Sequence, residues 1–376
     1  MFLSNPAVAT SEAYTPGLTR EFVAQKYAVP LEDVAKLGSA ENPLGPSPLA
    51  KAAVEAALEG IDIYPDWTAA PLREKIAQTY AVAPDQVVCG AGETEIISWI
   101  IRTFAEPGGK LLMHEPTFPI YHLFAVAEGR VPVFVPMGAD FDFRLERFIE
   151  SIAGDVRIVF LTRPHSPTGK LLDDSAVRRV CRAAGERLVV LDEAYIHFSE
   201  TEGGIPLVGE FDNLIVLRTF SKAYGLAGLR IGFGITRPHI ARPMLAVKPT
   251  WNMGRLQVAA GIAALDDHAH ISRTVAMVRE MRDYVAARIG ALNGFRMVEG
   301  SRSNFFLLEI LDTTLDSTKV FGRLLQRGVI VKDCSVSFRG LGHRYLRVDV
   351  SLRKNMDRLL DALADLEPAE QDRGHA

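Results

Sequence analysis

The chain has 376 residues, of which 48% are hydrophobic, 23% charged and 8% aromatic. These proportions are typical of globular proteins and exclude a disordered, collagen-like or coiled-coil chain. The formal net charge is −4, so the protein has no overall basic field for binding nucleic acid or an anionic membrane. Cys89, Cys181 and Cys334 are far apart and form no CxxC pair, which argues against a disulfide framework and a cysteine zinc site.

No apolar run is long enough for a membrane helix. The first residues, from Met1 to Pro6, lack the charged and apolar regions of a signal peptide. The sequence therefore predicts a cytoplasmic protein that does not bind membranes. Its length favours one large domain with a smaller companion.

The first predicted elements form a helix–strand–helix series. Apolar positions at helical spacing predict a helix over residues 71–80, and a short strand at 87–89 runs into glycines at 90 and 92. The next helix has an apolar face that continues to Phe104. Continuous apolar runs then predict strands at 111–113, 158–161, 188–191 and 214–217, with helices between them such as 175–184. This alternation predicts an α/β fold, a three-layer α/β/α large domain with a mostly parallel sheet.

The last hundred residues have a different pattern. A long helix is predicted at 271–289, strands at 304–309, 329–332 and 345–350, and a closing helix from Arg353. This is the pattern of a smaller α+β C-terminal domain. We predict an N-terminal arm that contributes to the small domain over residues 1–45, a large domain over 46–265 and the small domain over 266–376.

Chemically active residues follow two of the predicted strands. Asp192 and Tyr195 come after the strand at 188–191, and Lys222 follows the strand at 214–217. In a parallel sheet such strand ends meet at one edge, where functional groups gather. The sequence contains no metal-ligand cluster, no nucleophile elbow and no G-x-G-x-x-G motif.

This pattern suits a phosphorylated aldehyde cofactor, pyridoxal 5'-phosphate. Lys222 would bind the aldehyde covalently and Asp192 would pair with the pyridinium nitrogen. The phosphate would be held by three side chains and by backbone N–H groups at a helix start, namely Thr219, Ser221, Arg230, Glu93 and Thr94. Taken singly, the lysine could be a solvated surface residue, the aspartate a helix cap and the arginine half of a surface ion pair. Together, in this order, they favour the cofactor.

The same residues belong to longer motifs that resemble a known family. The chain resembles the fold-type-I pyridoxal-phosphate aminotransferases, and most closely the histidinol-phosphate aminotransferase family. The most specific motif is the run from Arg218 to Arg230, Arg-Thr-Phe-Ser-Lys-Ala-Tyr-Gly-Leu-Ala-Gly-Leu-Arg. Matching motifs cover nearly the whole chain and lie at residues 14–17, 37–48, 64–66, 90–95, 116–118, 167–169, 192–195, 218–230 and 346–348.

The resemblance implies further roles for individual residues. Phe118 would stack on the pyridine ring, although simple core packing is about as common for such a residue. Tyr195, counted with Lys222 and Asp192 as catalytic, would hydrogen-bond the cofactor's phenolic oxygen. Tyr64 would reach the cofactor phosphate of a partner subunit, which implies a homodimer with shared active sites.

The resemblance also implies the substrate-binding residues, which are Tyr14, Asn42, Lys332 and Arg347. Arg347 would bind a substrate carboxylate, and Tyr14 with Lys332 would hold an anionic distal group. A solvent-exposed lysine and a packed tyrosine are the alternative at these two positions.

Two positions depart from the family pattern. Ser166 stands where the family usually has an asparagine that donates to the phenolic oxygen, and Lys332 stands where it usually has an arginine. A serine hydroxyl is shorter, and a lysine lacks the guanidinium fork. The neighbouring His165 could fill part of the space at Ser166, or simply be packed or exposed.

Our leading hypothesis is a pyridoxal-phosphate-dependent aminotransferase that takes a small-molecule amino donor and a keto acceptor. The alternative within the same cofactor class is a decarboxylase, lyase or cyclase of a biosynthetic side pathway, since one fold supports several such reactions. A non-catalytic cofactor-binding regulator is disfavoured because the chain has no spare segment for a DNA-binding module. A nicotinamide oxidoreductase is disfavoured because the glycine fingerprint is missing.

Overall fold

The computed structural model describes Val8, Ala13, Tyr14 and residues 16–366. Its strands are β1 (Ala35–Lys36), β2 (Val87–Gly90), β3 (Lys110–Glu115), β4 (Val131–Pro136), β5 (Val156–Thr162), β6 (Leu188–Asp192), β7 (Leu214–Thr219), β8 (Gly232–Thr236), β9 (Phe295–Met297), β10 (Phe305–Ile310), β11 (Val329–Ile330), β12 (Lys332–Asp333) and β13 (Tyr345–Asp349).

The α-helices of the same residues are α1 (Arg20–Tyr27), α2 (Pro48–Ala57), α3 (Ala70–Tyr80), α4 (Glu93–Phe104), α5 (Ile120–Ala127), α6 (Leu145–Glu150), α7 (Asp174–Ala184), α8 (Pro238–Met244), α9 (Arg255–Asp266), α10 (His268–Ile289), α11 (Ser317–Gln326), α12 (Cys334–Ser337) and α13 (Arg353–Ala364). Within this part of the chain, no helix combines the length and the apolar character needed to cross a bilayer.

The large sheet has seven strands in the order β2-β8-β7-β6-β5-β3-β4. All neighbours are parallel except β8, which runs antiparallel to both β2 and β7. Alternate residues of β6 face opposite cores: Val189 and Leu191 pack with α3 and α7, whereas Leu188 and Val190 pack with α4 and α8. Helices therefore cover both faces of the sheet, which confirms the predicted three-layer α/β fold.

A second core lies around an antiparallel four-stranded sheet of order β12-β13-β10-β9. Residues of α10, α11 and α13 pack on it together with Ala35 and Leu37 from the N-terminal segment. β1 also pairs in parallel with β11. This packing fits an N-terminal contribution to the small domain; the boundaries at residues 45/46 and 265/266 stay predictions.

The single strand predicted over 329–332 is wrong in one respect, because the structure has two short strands there. β11 pairs with β1 and β12 pairs with β13, so the chain changes sheets at Val331. A Cβ atom on Gly38 would lie 2.8 Å from the Val331 carbonyl oxygen. The two segments approach so closely that glycine is needed at position 38, and this contact between distant segments cannot be read from local apolar patterning.

Candidate active site

A cavity of about 260 Å³ lies at the carboxyl ends of β5, β6 and β7, beside the N-terminus of α4. This is the edge of the sheet where parallel strands bring their terminal side chains together. Twelve of the residues predicted for the site line this cavity: Tyr14, Glu93, Thr94, Phe118, Ser166, Asp192, Tyr195, Thr219, Ser221, Lys222, Arg230 and Arg347.

Three predicted site residues do not line the cavity. Asn42 is turned into the protein, where its Nδ2 donates to the Ala223 carbonyl oxygen at 2.8 Å and its Oδ1 accepts from the Leu44 backbone at 2.9 Å. Tyr64 is 75% exposed on the surface. Lys332 is buried beside the cavity, with its Nζ 5.3 Å from the centre of the Tyr14 ring. The Asn42 amide thus supports the loop that borders the cavity, and the substrate contact predicted for this residue stays a prediction.

Lys222 lines the cavity from the loop after β7. Its Nζ donates to the Ser39 carbonyl oxygen at 3.1 Å and lies 5.4 Å from the centre of the Tyr195 ring. Burial, and next the positive charge of Arg347, lower the pKa of Lys222 to about 8. A lysine with such a pKa has an appreciable neutral fraction near neutral pH, so it can act as a nucleophile and as a base.

Asp192 ends β6 and is almost fully buried. One carboxylate oxygen accepts a hydrogen bond from the Ala194 backbone at 3.0 Å, and the other accepts one from the Tyr121 hydroxyl. Tyr121 is itself hydrogen-bonded to Thr162 at 3.0 Å. Burial raises the pKa of Asp192, and the hydrogen bonds from Tyr121 and Ala194 oppose that rise. Both donors fix the direction in which the carboxylate faces the cavity.

The N-terminus of α4 and the loop after β7 both border the cavity, and we call this region the anion-binding end because its donor groups suit an anion. The Thr219 hydroxyl donates to Ser221 Oγ at 3.0 Å, and Arg230 Nη1 lies 3.4 Å from the same Oγ. Gly92, which caps α4, has φ +87°, and a Cβ atom there would lie 2.4 Å from Arg230 Nη2. Glycine thus allows the guanidinium to approach the helix N-terminus, and both groups favour an anion such as a phosphate.

Ser166 lines the cavity. Its buried Oγ contacts no donor or acceptor among the described residues. The neighbouring His165 is buried but does not line the cavity; its Nδ1 is 2.9 Å from Thr168 Oγ1, and its ring packs edge-on against Phe143. Burial lowers the pKa of His165 to about 3. His165 is therefore a neutral packed residue and does not replace the asparagine amide missing at position 166.

Arg347 enters the cavity from β13. It is buried, its Nη2 lies 3.3 Å from the Gly38 carbonyl oxygen and 3.6 Å from an Asp349 carboxylate oxygen, and its Nε has no partner in the described part of the chain. β12 places Lys332 directly opposite Arg347. Since opposite residues of an antiparallel pair lie on the same face, two cationic side chains share this side of the site.

Sequence reasoning missed several residues of the cavity and its surroundings, among them the following three. Tyr121 holds Asp192, the Ser39 carbonyl oxygen accepts from Lys222, and the Glu41 side chain borders the cavity. Tyr121 lies three residues after Phe118, so a helix start after β3 would have placed both rings on one side. No group of three or more His, Cys, Asp or Glu side chains in the described ranges could hold a metal ion.

The comparisons with known proteins agree with the predicted family and with the fold. Residues 32–363 match the family described as aminotransferase class I and II. A histidinol-phosphate aminotransferase of Anaeromyxobacter sp. is 38% identical over 96% of this chain and 98% of its own, and that of Symbiobacterium thermophilum is 38% identical over 95% and 96%. The structure of histidinol-phosphate aminotransferase from Sinorhizobium meliloti in complex with pyridoxal-5'-phosphate superposes with a TM-score of 0.86 at 24% identity, covering 96% of this chain and 97% of that one.

The chain belongs to the class I and II aminotransferase family. The predicted family resemblance and fold class are confirmed, and so is the predicted class of enzyme, a pyridoxal-phosphate-dependent aminotransferase. The decarboxylase, lyase or cyclase alternative is not favoured.

Proposed function

We propose that the protein transfers the amino group of a small amino compound with an anionic distal group, as in histidinol phosphate, to a keto acid. The observation that carries this proposal is that Lys222 and Asp192 share one cavity with Arg347, while Lys332 lies next to Arg347. The relatives named above act on histidinol phosphate, which supports the choice of substrate and a role in amino-acid biosynthesis.

The residues of the cavity fit pyridoxal phosphate. The anion-binding end would hold its phosphate through Thr219, Ser221, Arg230 and the backbone at the start of α4, Glu93 and Thr94. Phe118 is half-buried at the wall and would lie against its ring, and Tyr195 would donate to the phenolic oxygen. When bound, the cofactor supplies an aldehyde that takes up the amino group and a ring that accepts carbanion charge.

Lys222 would do two tasks in this reaction. As a neutral amine it would hold the cofactor covalently, and once free it would act as the base that moves a proton between two carbon atoms. Its lowered pKa suits both tasks, because the neutral form is accessible. Asp192 would keep the pyridine nitrogen protonated through its charge, with Tyr121 fixing its orientation.

Arg347 would bind the carboxylate of the keto acid or of an amino acid. Its Nε has no partner among the described residues, and a planar guanidinium suits the binding of a carboxylate. Lys332 and Tyr14 lie together at 5.3 Å and would hold the distal anion. The lysine supplies a point charge where a guanidinium would supply a fork.

The proposed function is tested by incubating the purified protein with histidinol phosphate and a panel of keto acids. We expect amino product and keto product in equal amounts. Histidinol, which has the same amine but no phosphate, is the matched control and should react much more slowly. Release of carbon dioxide or ammonia without amino transfer would contradict the proposal.

Replacing Lys332 by methionine should weaken binding of the distal anion. Methionine keeps an unbranched buried side chain but removes the charge, and the contact is made equally in the ground state and the transition state. We expect KM for histidinol phosphate to rise about tenfold, with kcat changed much less. Steady-state kinetics with histidinol as the neutral comparison checks this; equal KM values for Lys332→Met and the wild type would refute the assignment.

Replacing Ser166 by asparagine should restore a donor to the cofactor's phenolic oxygen. Because the amide stabilises the ionised oxygen, the pH midpoint of the absorbance change of the bound cofactor should move downward. Ser166→Ala is the control and should not lower the midpoint, since the serine Oγ makes no hydrogen bond within the described residues. A midpoint in Ser166→Asn that stays in place or moves upward would contradict this account.

We infer that the protein works as a homodimer with shared active sites. A surface region that is apolar and exposed supports this: Ile61, Ile63, Tyr64, Trp67 and Trp251 are each 47% exposed or more. The rings of Tyr64 and Trp251 are stacked at 4.5 Å. An apolar patch of this kind is typical of a protein–protein interface, and it would carry Tyr64 to the cofactor phosphate of a partner subunit.

We also propose a cytoplasmic location. Its support is that Cys89, Cys181 and Cys334 are buried and unpaired thiols, which suits a reducing compartment.

A further inference from the structure

Glu93 is placed unusually for a glutamate in the first turn of a helix. Such residues commonly extend into water, where their charge interacts favourably with the helix dipole. Glu93 opens α4, but its side chain is only 8% exposed and lines the active-site cavity. The assignment made from the sequence used only the backbone N–H of this residue, so the carboxyl group is left without a role.

The Glu93 and Asp192 carboxyl groups are both buried and line the same cavity. Two ionised carboxylates buried together repel each other, so the site favours a proton on one of them. Asp192 already accepts hydrogen bonds from Tyr121 and Ala194, which favour its ionised form. Glu93 has no comparable donors, and its buried Oε1 has no partner in the described part of the chain. The proton therefore resides mainly on Glu93.

The surrounding charges agree with this assignment. Burial, and then the charge of Asp192, raise the pKa of Glu93 well above its usual range. Lys222 from the loop after β7 and Arg230 beyond it oppose the rise, while Tyr121 from α5 faces the same pair of carboxyl groups. Tyr195, from the segment after β6, faces the pair as well.

We propose that Glu93 is a positioning residue that shares one proton with Asp192, so that the pair carries a single negative charge and Asp192 is held facing the pyridine nitrogen of the cofactor. This inference rests on the proposed function, because it assigns the nitrogen contact to Asp192. The structure itself shows that Glu93 lines the same cavity as Asp192.

The shared proton is tested on the full-length protein freed of cofactor. A raised pKa in the folded state means that wild-type stability falls as pH rises above the ordinary glutamate pKa, because the unfolded chain loses the proton first. Glu93→Gln keeps a donor and cannot titrate. Its melting temperature minus that of the wild type should therefore be greater at pH 8 than at pH 5 by about 3 °C or more.

Glu21→Gln is the matched control, because Glu21 also lies in the first turn of a helix but is exposed. The melting-temperature difference between Glu21→Gln and the wild type should change by less than this amount between pH 5 and pH 8. If the melting-temperature difference between Glu93→Gln and the wild type were the same at pH 5 and pH 8, the proposal of a shared proton would be overturned.

The positioning role is tested by the pyridoxal phosphate dissociation constant and by the absorbance of the bound cofactor. Glu93→Ala should weaken binding about tenfold or more and shift the pH titration of the absorbance, while Glu93→Gln should stay within about threefold of the wild type. Wild-type behaviour of Glu93→Ala in both measurements would overturn the role. If the wild type bound no pyridoxal phosphate, the proposed function would fail, while the melting experiment would still report on the proton.

Discussion

Replacement of Lys222 by alanine is expected to abolish turnover while the protein still folds and binds pyridoxal phosphate non-covalently. Lys222 is the lysine that lines the cavity, and it would supply both the covalent bond and the base for proton transfer. Loss of a positioned base alone costs on the order of a hundredfold to ten-thousandfold in rate. The measurement is kcat with the best amino donor, together with the absorbance of bound cofactor.

The control for this variant is Lys51→Ala, which removes an exposed lysine from α2. It should leave both kcat and the absorbance unchanged. If Lys222→Ala retained wild-type turnover, another residue would have to be the base, and the assignment of this cavity would fail.

Replacement of Asp192 by asparagine should have the second-largest effect. The two side chains have nearly the same size, so Tyr121 and Ala194 can still hold position 192, but the charge that stabilises a protonated pyridine nitrogen is lost. Without it the ring accepts carbanion charge poorly. We expect kcat to fall on the order of a hundredfold or more, which corresponds to about 2.7 kcal/mol of barrier.

Asp212→Asn, at an aspartate that pairs with Arg237 on the surface, is the control and should leave kcat unchanged. Cofactor content must be measured in each preparation, because a loss of cofactor would mimic a loss of rate. Near-normal kcat in fully loaded Asp192→Asn would show that the charge at position 192 is not needed.

The shared location of Asp192 and Lys222 could be predicted from sequence patterns because each residue lies at or just after the end of a strand. Asp192 and Lys222 follow continuous apolar runs. Parallel strands bring their carboxyl ends to one edge of the sheet, independently of the loop conformations. The same argument covers the three-layer fold, since β6 is apolar at four consecutive positions and its alternate residues face two cores.

The arrangement around the substrate-binding residues is harder to predict because it depends on contacts between distant segments. Asn42 belongs to the family motif at residues 37–48. Its amide group is hydrogen-bonded to the backbone of Ala223 and Leu44, and sequence spacing does not reveal these contacts. Tyr121 is placed against Asp192 by the packing of α5 over the sheet. The direction of the Glu93 side chain is likewise set by tertiary packing, since helix propensity would leave a first-turn glutamate in water.

The central claim is that pyridoxal phosphate binds covalently to Lys222 in this cavity. The most direct measurement is to treat the purified protein with borohydride, digest it and locate the cofactor by mass spectrometry. We predict one modified peptide, with the reduced cofactor on Lys222 and close to one equivalent per chain. Modification of a different lysine, or no stable modification of a preparation that carries the cofactor, would contradict the account.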